Sequence, residues 1–402
     1  MSKLDFSNTA IAFSSKSDKE LKKTAWMFGL MNKQWLVNIG SKLGLFAVEW
    51  NLPFAQYAVK NTIFEQFCGG TSLDECTKTI DKLYDFKTAT ILDYGAEAKE
   101  SEADFDITKN EFIKAIKFAA KAKSVPVVSI KVTGMARFDL LERIHAKETL
   151  SDTEIVEYQL VTQRVDEVCK TAFDHRIAVF VDAEETWIQD PIDEIVERMM
   201  AKYNRERVAV YNTYQMYLTA KLDYLHASFE RAKQGNYILG AKLVRGAYME
   251  KESKRAEAMG YKNPINPSKQ ATDNLYNKGI VFCIENYERI ASCCASHNQA
   301  SSLLQAQLID SKGIAKNHPH LSFCQLYGMS DNLTFNLSDA GYNSAKYMPY
   351  GTVKDVIPYL IRRAQENSSV SGDMGREYKM IVEEVKRRKE KPLLNPPLTG
   401  GL

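Results

Sequence analysis

The sequence has no uninterrupted apolar run long enough to cross a bilayer. Its most apolar stretch, Trp35 to Val59, is broken by Lys42, Glu49, Asn51 and Pro53, whereas a spanning helix needs about 20 predominantly apolar residues. It also lacks an excess of either charge. The 53 Lys and Arg stand against 51 Asp and Glu, a net +2, which removes any bulk electrostatic case for nucleic acid. Cysteine is scarce and odd in number, 7 in all, and Cys293 and Cys294 are adjacent. No disulfide framework can be read from that spacing, and a reducing compartment is expected. The opening residues, Met1 to Ser7, lack the apolar core of a secretory signal and carry an acid that a transit peptide avoids. The expectation is a chain without a leader, or a mature form after processing.

Several catalytic signatures are also missing. No Gly-x-Gly-x-x-Gly follows a strand-like run, and no P-loop, Gly-x-Ser-x-Gly or His-Glu-x-x-His occurs. The 6 histidines are dispersed. Only His318 and His320 have ligand-like spacing, and a surface loop pair explains them better than a metal site, so no metal is expected.

What remains is the composition of a globular chain, 45% hydrophobic and 26% charged over 402 residues. Residues up to about Phe86 read as helices, with apolar positions at helical spacing in Leu30, Trp35, Leu36, Ile39, Leu43 and Phe46 and a turn at Cys68 to Gly70. Short β-rich runs then alternate with long helical patterns. The runs are Thr90 to Asp93, Val127 to Lys131, Ala178 to Asp182, Val208 to Tyr211, Ala241 to Val244, Ile290 to Ser296, Leu321 to Gln325 and Ala345 to Tyr347. Segments such as Pro191 to Asn204 and Thr213 to Lys233 are long enough for crossover helices. Eight such units predict an α/β fold, a (β/α)8 barrel of the TIM type with an N-terminal helical arm. The expected division is an arm at 1–86, a catalytic barrel at 87–390 and a tail at 391–402.

Six runs carry a polar residue at or near the carboxyl end: Asp93, Lys131, Asp182, Lys242, His297 and Gln325. In such barrels that rim holds the active site. Near the C-terminus, Tyr359 to Asn367 reads as a helix following the last strand. Arg362 and Glu366 share a face at a spacing of four, and adjacent Arg362 and Arg363 could clamp a carboxylate or a phosphate. Tyr347 and the turn through Pro349 and Gly351 aim that helix at the cavity.

These residues resemble the proline dehydrogenase family, and the Thr213-Tyr214-Gln215-x-Tyr217 and Pro264-Ile265-Asn266-Pro267 stretches make the chain resemble its stand-alone eukaryotic-like branch. The resemblance rests on Arg362-Arg363 with Glu366-Asn367, on Tyr347-x-Pro349-x-Gly351, and on Lys242-Leu243-Val244-Arg245-Gly246-Ala247-Tyr248. Asp182 to Glu185, Ser129 to Lys131, Ser296 to Asn298 and Gln325 to Met329 follow in the family's order. The match covers Leu92 to Asn367. It implies FAD as cofactor and oxidation of L-proline to Δ1-pyrroline-5-carboxylate, with electrons passed to ubiquinone or menaquinone through peripheral membrane contact. It further implies that Arg362 and Arg363 bind the proline carboxylate, that Lys131 and Asp182 order the pocket, and that Tyr347 and Tyr359 flank the ring. Flavin contacts are implied at Asn212, Lys242, Val244, Gly246, Ala247, Tyr248, His297, Asn298, Gln325 and Glu366. The expected location is the bacterial cytoplasm, peripheral on the inner membrane, or alternatively the matrix side of the mitochondrial inner membrane. Two rivals stand beside this reading: a barrel aldolase or isomerase using Lys131 or Lys242 as a Schiff base on a phosphorylated substrate, and a non-enzymatic scaffold.

Overall fold

The computed structural model describes residues 4–31, 57, 59–95, 100–369 and 373–390, with side chains given for all of these except 364–369 and 373–374. Eight strands form a closed parallel barrel in chain order: β1 (Ala89–Tyr94), β2 (Val127–Ile130), β3 (Ala178–Val181), β4 (Val210–Gln215), β5 (Leu239–Val244), β6 (Ile290–Ala295), β7 (Leu321–Leu326) and β8 (Ser344–Tyr350). β8 returns to β1 in the register Ala89↔Ala345 through Tyr94↔Tyr350, which closes the ring. The runs are apolar almost throughout because each strand is covered on both faces, by helices outside and by its neighbours' side chains inside. The interior is a packed layer of Ile91, Phe180, Tyr211, Ala291, Cys293, Cys324, Ala345 and Tyr347. All strands run the same way, so their carboxyl ends meet at one rim.

Two expectations shift. The fourth strand was expected at Val208 to Tyr211 and the next helix from Thr213, but β4 runs to Gln215 and the helix spans Lys221–Gln234. Polar Thr213 and Gln215 disguise the strand because their side chains face the barrel axis rather than water. Thr213 Oγ1 donates to the Val181 carbonyl at 2.7 Å, and the Thr213↔Lys242 register continues the ladder. The eighth strand likewise continues past Tyr347 to Tyr350. Pro349 is tolerated there, and its carbonyl accepts the Gly69 N–H at 2.9 Å.

The arm does not stand apart from the barrel. The helix Leu73–Asp85 starts at a Ser72 cap and buries Leu73, Cys76 and Ile80 in the main core. The helix Asp18–Met31 builds a second core from Leu21, Phe28 and Met31 with Leu360, Met380 and Ile381 of the C-terminal helices. Of the arm's expected apolar positions, Leu30 lies in this helix. Trp35, Leu36, Ile39, Leu43 and Phe46 lie outside the described residues, as does the tail at 391–402. Among the described residues, no helix is long and apolar enough to cross a membrane.

Arm and barrel lock at Gly328, whose φ of +80° places it in left-handed backbone. A Cβ there would overlap the Gln66 backbone carbonyl, and Gln66 Nε2 donates to the Gly328 carbonyl at 2.7 Å. Gly328→Ala therefore combines left-handed strain with a backbone clash. It is expected to cost about 3 kcal/mol or more of stability, read as a lower denaturant midpoint; an unchanged midpoint would contradict this docking.

Candidate active site

Strand parity decides which side chains reach the carboxyl rim. Successive strand residues point to opposite faces, so Asp93 on β1, Lys242 and Val244 on β5, Ala295 on β6, Cys324 and Leu326 on β7, and Tyr347 and Pro349 on β8 look inward. With Lys131 and Asp182 just beyond β2 and β3, they line a cavity of about 440 Å³.

On one wall, a buried ion pair anchors the site. Lys242 Nζ lies 2.5 Å from Asp182 Oδ1, Ser129 Oγ donates to the same oxygen at 2.9 Å, and the Tyr347 hydroxyl donates to Oδ2 at 2.8 Å. The ammonium also sits 4.9 Å from the Tyr347 ring centroid and 5.4 Å from that of Phe180. Burial opposes the Asp182 charge, but Lys242, Lys131 and the hydrogen bonds outweigh it and hold the carboxyl below its usual range. Burial also opposes the Lys242 charge, and Asp182 outweighs it and raises that ammonium. The pair therefore stays charged, and its members orient each other.

Two nearby carboxyls behave differently. Burial, then the Asp182 charge, push Asp93 up to about 7 against Lys131, Tyr347 and Lys242. Burial pushes Glu184 up to about 7 despite Lys131 and its bonds from Thr133 N, at 3.1 Å, and Thr133 Oγ1. A carboxyl whose folded value is raised binds protons more readily when folded. Its contribution is thus present below the ordinary value near 4.3 and lost as pH rises through about 7. Glu184→Gln should gain stability relative to the parent as pH climbs through that window. Denaturant midpoints at pH 5 and pH 8 give the comparison, and a constant difference would contradict it.

The opposite wall comes from the helix Val353–Ser369. Arg362 and Arg363 line the cavity together with Tyr359, one turn earlier. Arg363 is 8% exposed, and its Cζ lies 5.2 Å from the Tyr359 ring centroid. Half-buried Arg362 and buried Arg363 thus border the same cavity as Lys131 and Asp182. The Glu366 side chain, expected to orient Arg362, lies outside the described residues.

The third wall is the turn after β5, with Gly246, Ala247 and Tyr248, together with Ser296, His297 and Asn298 after β6. Gly246 has φ +138°, and a Cβ there would overlap the Tyr217 ring, so the backbone packs closer than any larger residue would allow. Arg245 and Lys269 bring positive charge to this end. Arg245 is fixed by Asp273 at 2.7 Å and Ser296 Oγ at 2.6 Å, over the Tyr276 ring. Asn298 Oδ1 caps the helix Gln299–Ser311 by accepting the Ser301 N–H at 3.0 Å. Burial, then Lys346, Arg363 and Arg245, push His297 down to about 3, so its imidazole is neutral. Cations, exposed backbone and an apolar strip of Val244, Ala295 and Leu326 suit a ligand that is anionic at one end and planar at the other. A flavin dinucleotide has that character.

Two expected flavin residues lie outside this lining. On β4, Tyr211, Thr213 and Gln215 point inward, so Asn212 points to the helix layer and donates to Asp193 Oδ1 at 2.8 Å. On β7, Cys324 points inward and Gln325 outward. Gln325 accepts from Thr334 Oγ1 at 2.8 Å and donates to the Ser296 carbonyl at 3.1 Å, bracing the loop instead of facing the cavity. Conversely, Thr213, Gln215, Arg245, Lys269 and Cys324 line it without having been singled out as site residues, and Asp93, expected at the rim but given no role, lines it too. Asp93 had a signal, a charge ending an apolar strand. Thr213 and Gln215 carry a signal only for the branch resemblance, and the helix expected from Thr213 hid their place on a strand. His318 and His320 sit with ring centroids 5.2 Å apart, with His320 Nδ1 2.7 Å from the Tyr287 carbonyl.

Comparison with known proteins gives the family. The family model described as Proline dehydrogenase matches residues 76–376. Proline dehydrogenase 2, mitochondrial, of Arabidopsis thaliana is 30% identical over 431 residues, covering 96% of this chain and 90% of the relative. Proline dehydrogenase 1, mitochondrial, of Drosophila melanogaster is 38% identical over 241 residues, covering 58% of this chain but 35% of the relative. In fold, the chain is similar to the crystal structure of proline utilization A from Bdellovibrio bacteriovorus inactivated by N-propargylglycine, with a TM-score of 0.72 at 20% identity. That match covers 96% of this chain and 42% of the bacterial one. The family match spans most of the barrel that carries the cavity, and the chain belongs to the proline dehydrogenase family.

Proposed function

We propose that the cavity oxidises L-proline to Δ1-pyrroline-5-carboxylate with FAD as the electron acceptor. The observation that carries this reading is the convergence of two adjacent guanidinium groups, Arg362 and Arg363, on the same space as the Asp182–Lys242–Tyr347 cluster. A guanidinium pair matches a carboxylate. Tyr359 beside it and Tyr347 opposite offer aromatic faces to a small apolar ring. Holding the carboxylate at one end fixes the ring carbon next to nitrogen, and such positioning removes much of the entropy of encounter. When bound, FAD supplies the two-electron acceptor. The residues fitted to hold it are Lys242, Val244, Gly246, Ala247, Tyr248, His297 and Asn298, with Arg245 and Lys269 toward its phosphates. Gln325 supports this wall from behind through the Ser296 carbonyl, while Asn212 ties β4 to the helix layer at Asp193.

Ubiquinone or menaquinone is the proposed final acceptor, reached by peripheral contact with a membrane. The mitochondrial names of the eukaryotic relatives favour the matrix side of the mitochondrial inner membrane over a bacterial cytoplasm. The aldolase alternative fares worse because a Schiff-base lysine needs a lowered amine pKa, whereas Asp182 raises that of Lys242. Purified protein should be yellow, and L-proline should bleach its visible flavin band and reduce an artificial dye. A colourless protein that neither takes up FAD nor responds to proline would overturn the proposal.

A further inference from the structure

Ser330 adopts the wrong conformation for its position. It immediately precedes the helix Asp331–Asp339, where a serine ordinarily takes extended backbone and accepts a hydrogen bond from an N–H two or three residues on. Here its backbone is left-handed, with φ +50° and ψ 44°, and its side chain makes no cap bond. A residue with a Cβ holds that conformation only where its surroundings enforce it, and such places cluster at functional sites. The surroundings are on hand. The Glu377 carboxylate, on the helix Asp373–Glu390, accepts the Ser330 N–H, and the Ser330 carbonyl accepts the N–H groups of Leu333 and Thr334 at 3.0 and 3.2 Å. Turned away from its own helix, the hydroxyl sits 2.8 Å from Nδ1 of His297, which lines the cavity.

We propose that Ser330 is a positioning residue whose hydroxyl donates to Nδ1 of His297, fixing the tautomer that offers Nε2–H to an acceptor atom of the bound cofactor. This rests on reading the cavity as a flavin site. The imidazole stays neutral, so one ring nitrogen carries the proton and the other does not. Which one is decided by the partner of Nδ1. Ser330 is buried, and among the described residues its hydroxyl meets no acceptor other than that nitrogen. A proton on Nδ1 would therefore leave the serine proton buried without an acceptor, which is costly. With the serine proton on Nδ1, both groups are satisfied and Nε2 carries the hydrogen. The β7 loop thus sets the ring that follows β6, and Glu377 ties that loop to the C-terminal helix.

The test uses ¹⁵N NMR of histidine-labelled full chain, before and after FAD is added, with His297→Asn to assign the ring. Nδ1 should appear as a bare acceptor and Nε2 as protonated. Ser330→Gly keeps left-handed backbone at no steric cost, so it should melt at or above the parent's temperature. It should nonetheless show mixed tautomers and a FAD dissociation constant about five- to tenfold higher, the worth of one neutral hydrogen bond. Ser330→Ala should weaken FAD to the same degree while melting lower. A protonated Nδ1 in the parent, or parent-like FAD affinity in Ser330→Gly, would overturn the proposal. A parent chain that takes up no flavin would instead sink the cofactor reading, while the tautomer measured before FAD is added still decides the Ser330–His297 contact.

Discussion

Replacing Arg363 with methionine is expected to lower kcat/KM for L-proline by about 30- to 5,000-fold, mostly through KM. The reasoning starts from burial. Arg363 is 8% exposed and packs over Tyr359, so a carboxylate meeting it does so largely out of water. Removing one partner of a buried, hydrogen-bonded charge pair costs about 2–5 kcal/mol, which gives that range. Methionine fills much of the same volume and keeps the apolar contact with the ring. The loss should therefore appear in substrate binding and leave FAD content and melting temperature near the parent's. Arg363→Lys should recover only part of the loss because an ammonium cannot present two parallel donors. Steady-state kinetics with dye reduction decide the matter. Unchanged kinetics would mean that the substrate carboxylate sits elsewhere.

Asp182→Ala is expected to damage both stability and turnover. It strands the Lys242 ammonium, 5% exposed, and removes the carboxylate that accepts from both Ser129 and Tyr347. An uncompensated buried charge costs about 3–5 kcal/mol, readable as a lower denaturant midpoint with an unchanged slope. The same change leaves Tyr347 its 3.1 Å bond to Ser129 Oγ but removes the carboxylate that orients Lys242 in the cavity, so activity should fall with stability. The carboxyl of Asp182 is depressed when folded. Its stabilisation is thus present above the ordinary aspartate value near 3.9 and fades as pH falls through the lower, folded value. The gap between parent and Asp182→Ala should accordingly shrink in acid. A variant as stable as the parent at neutral pH would show that the Lys242–Asp182 pair carries no weight.

Much of the barrel was legible because most strands are short and largely apolar, and six are closed by a polar residue at or near the rim. β1 to β3 show this plainly, with Asp93, Lys131 and Asp182 ending or following runs buried on both faces. Reading failed where a strand used polar residues inward: Thr213 and Gln215 look like the start of a surface helix until their cavity-facing role is seen. The motif at 242–248 located one wall, but a motif does not report parity. A single residue of register separates Gln325, which braces the β7 loop, from Cys324, which lines the cavity. Asn212 and Thr213 differ in the same way. Ser330 left no trace at all, since Ser-Asp-Asn before a helix reads as an ordinary cap and its left-handed turn depends on Glu377, far along the chain.

The arrangement of the arginine pair over the rim can be tested directly by a crystal structure of the flavin-loaded protein with a ring-oxygen analogue of proline, which keeps the carboxylate but cannot be oxidised through nitrogen. The analogue's carboxylate should meet the guanidinium groups of both Arg362 and Arg363, with its ring between Tyr359 and Tyr347. A carboxylate bound away from both arginines, or an analogue seated outside this cavity, would contradict the account.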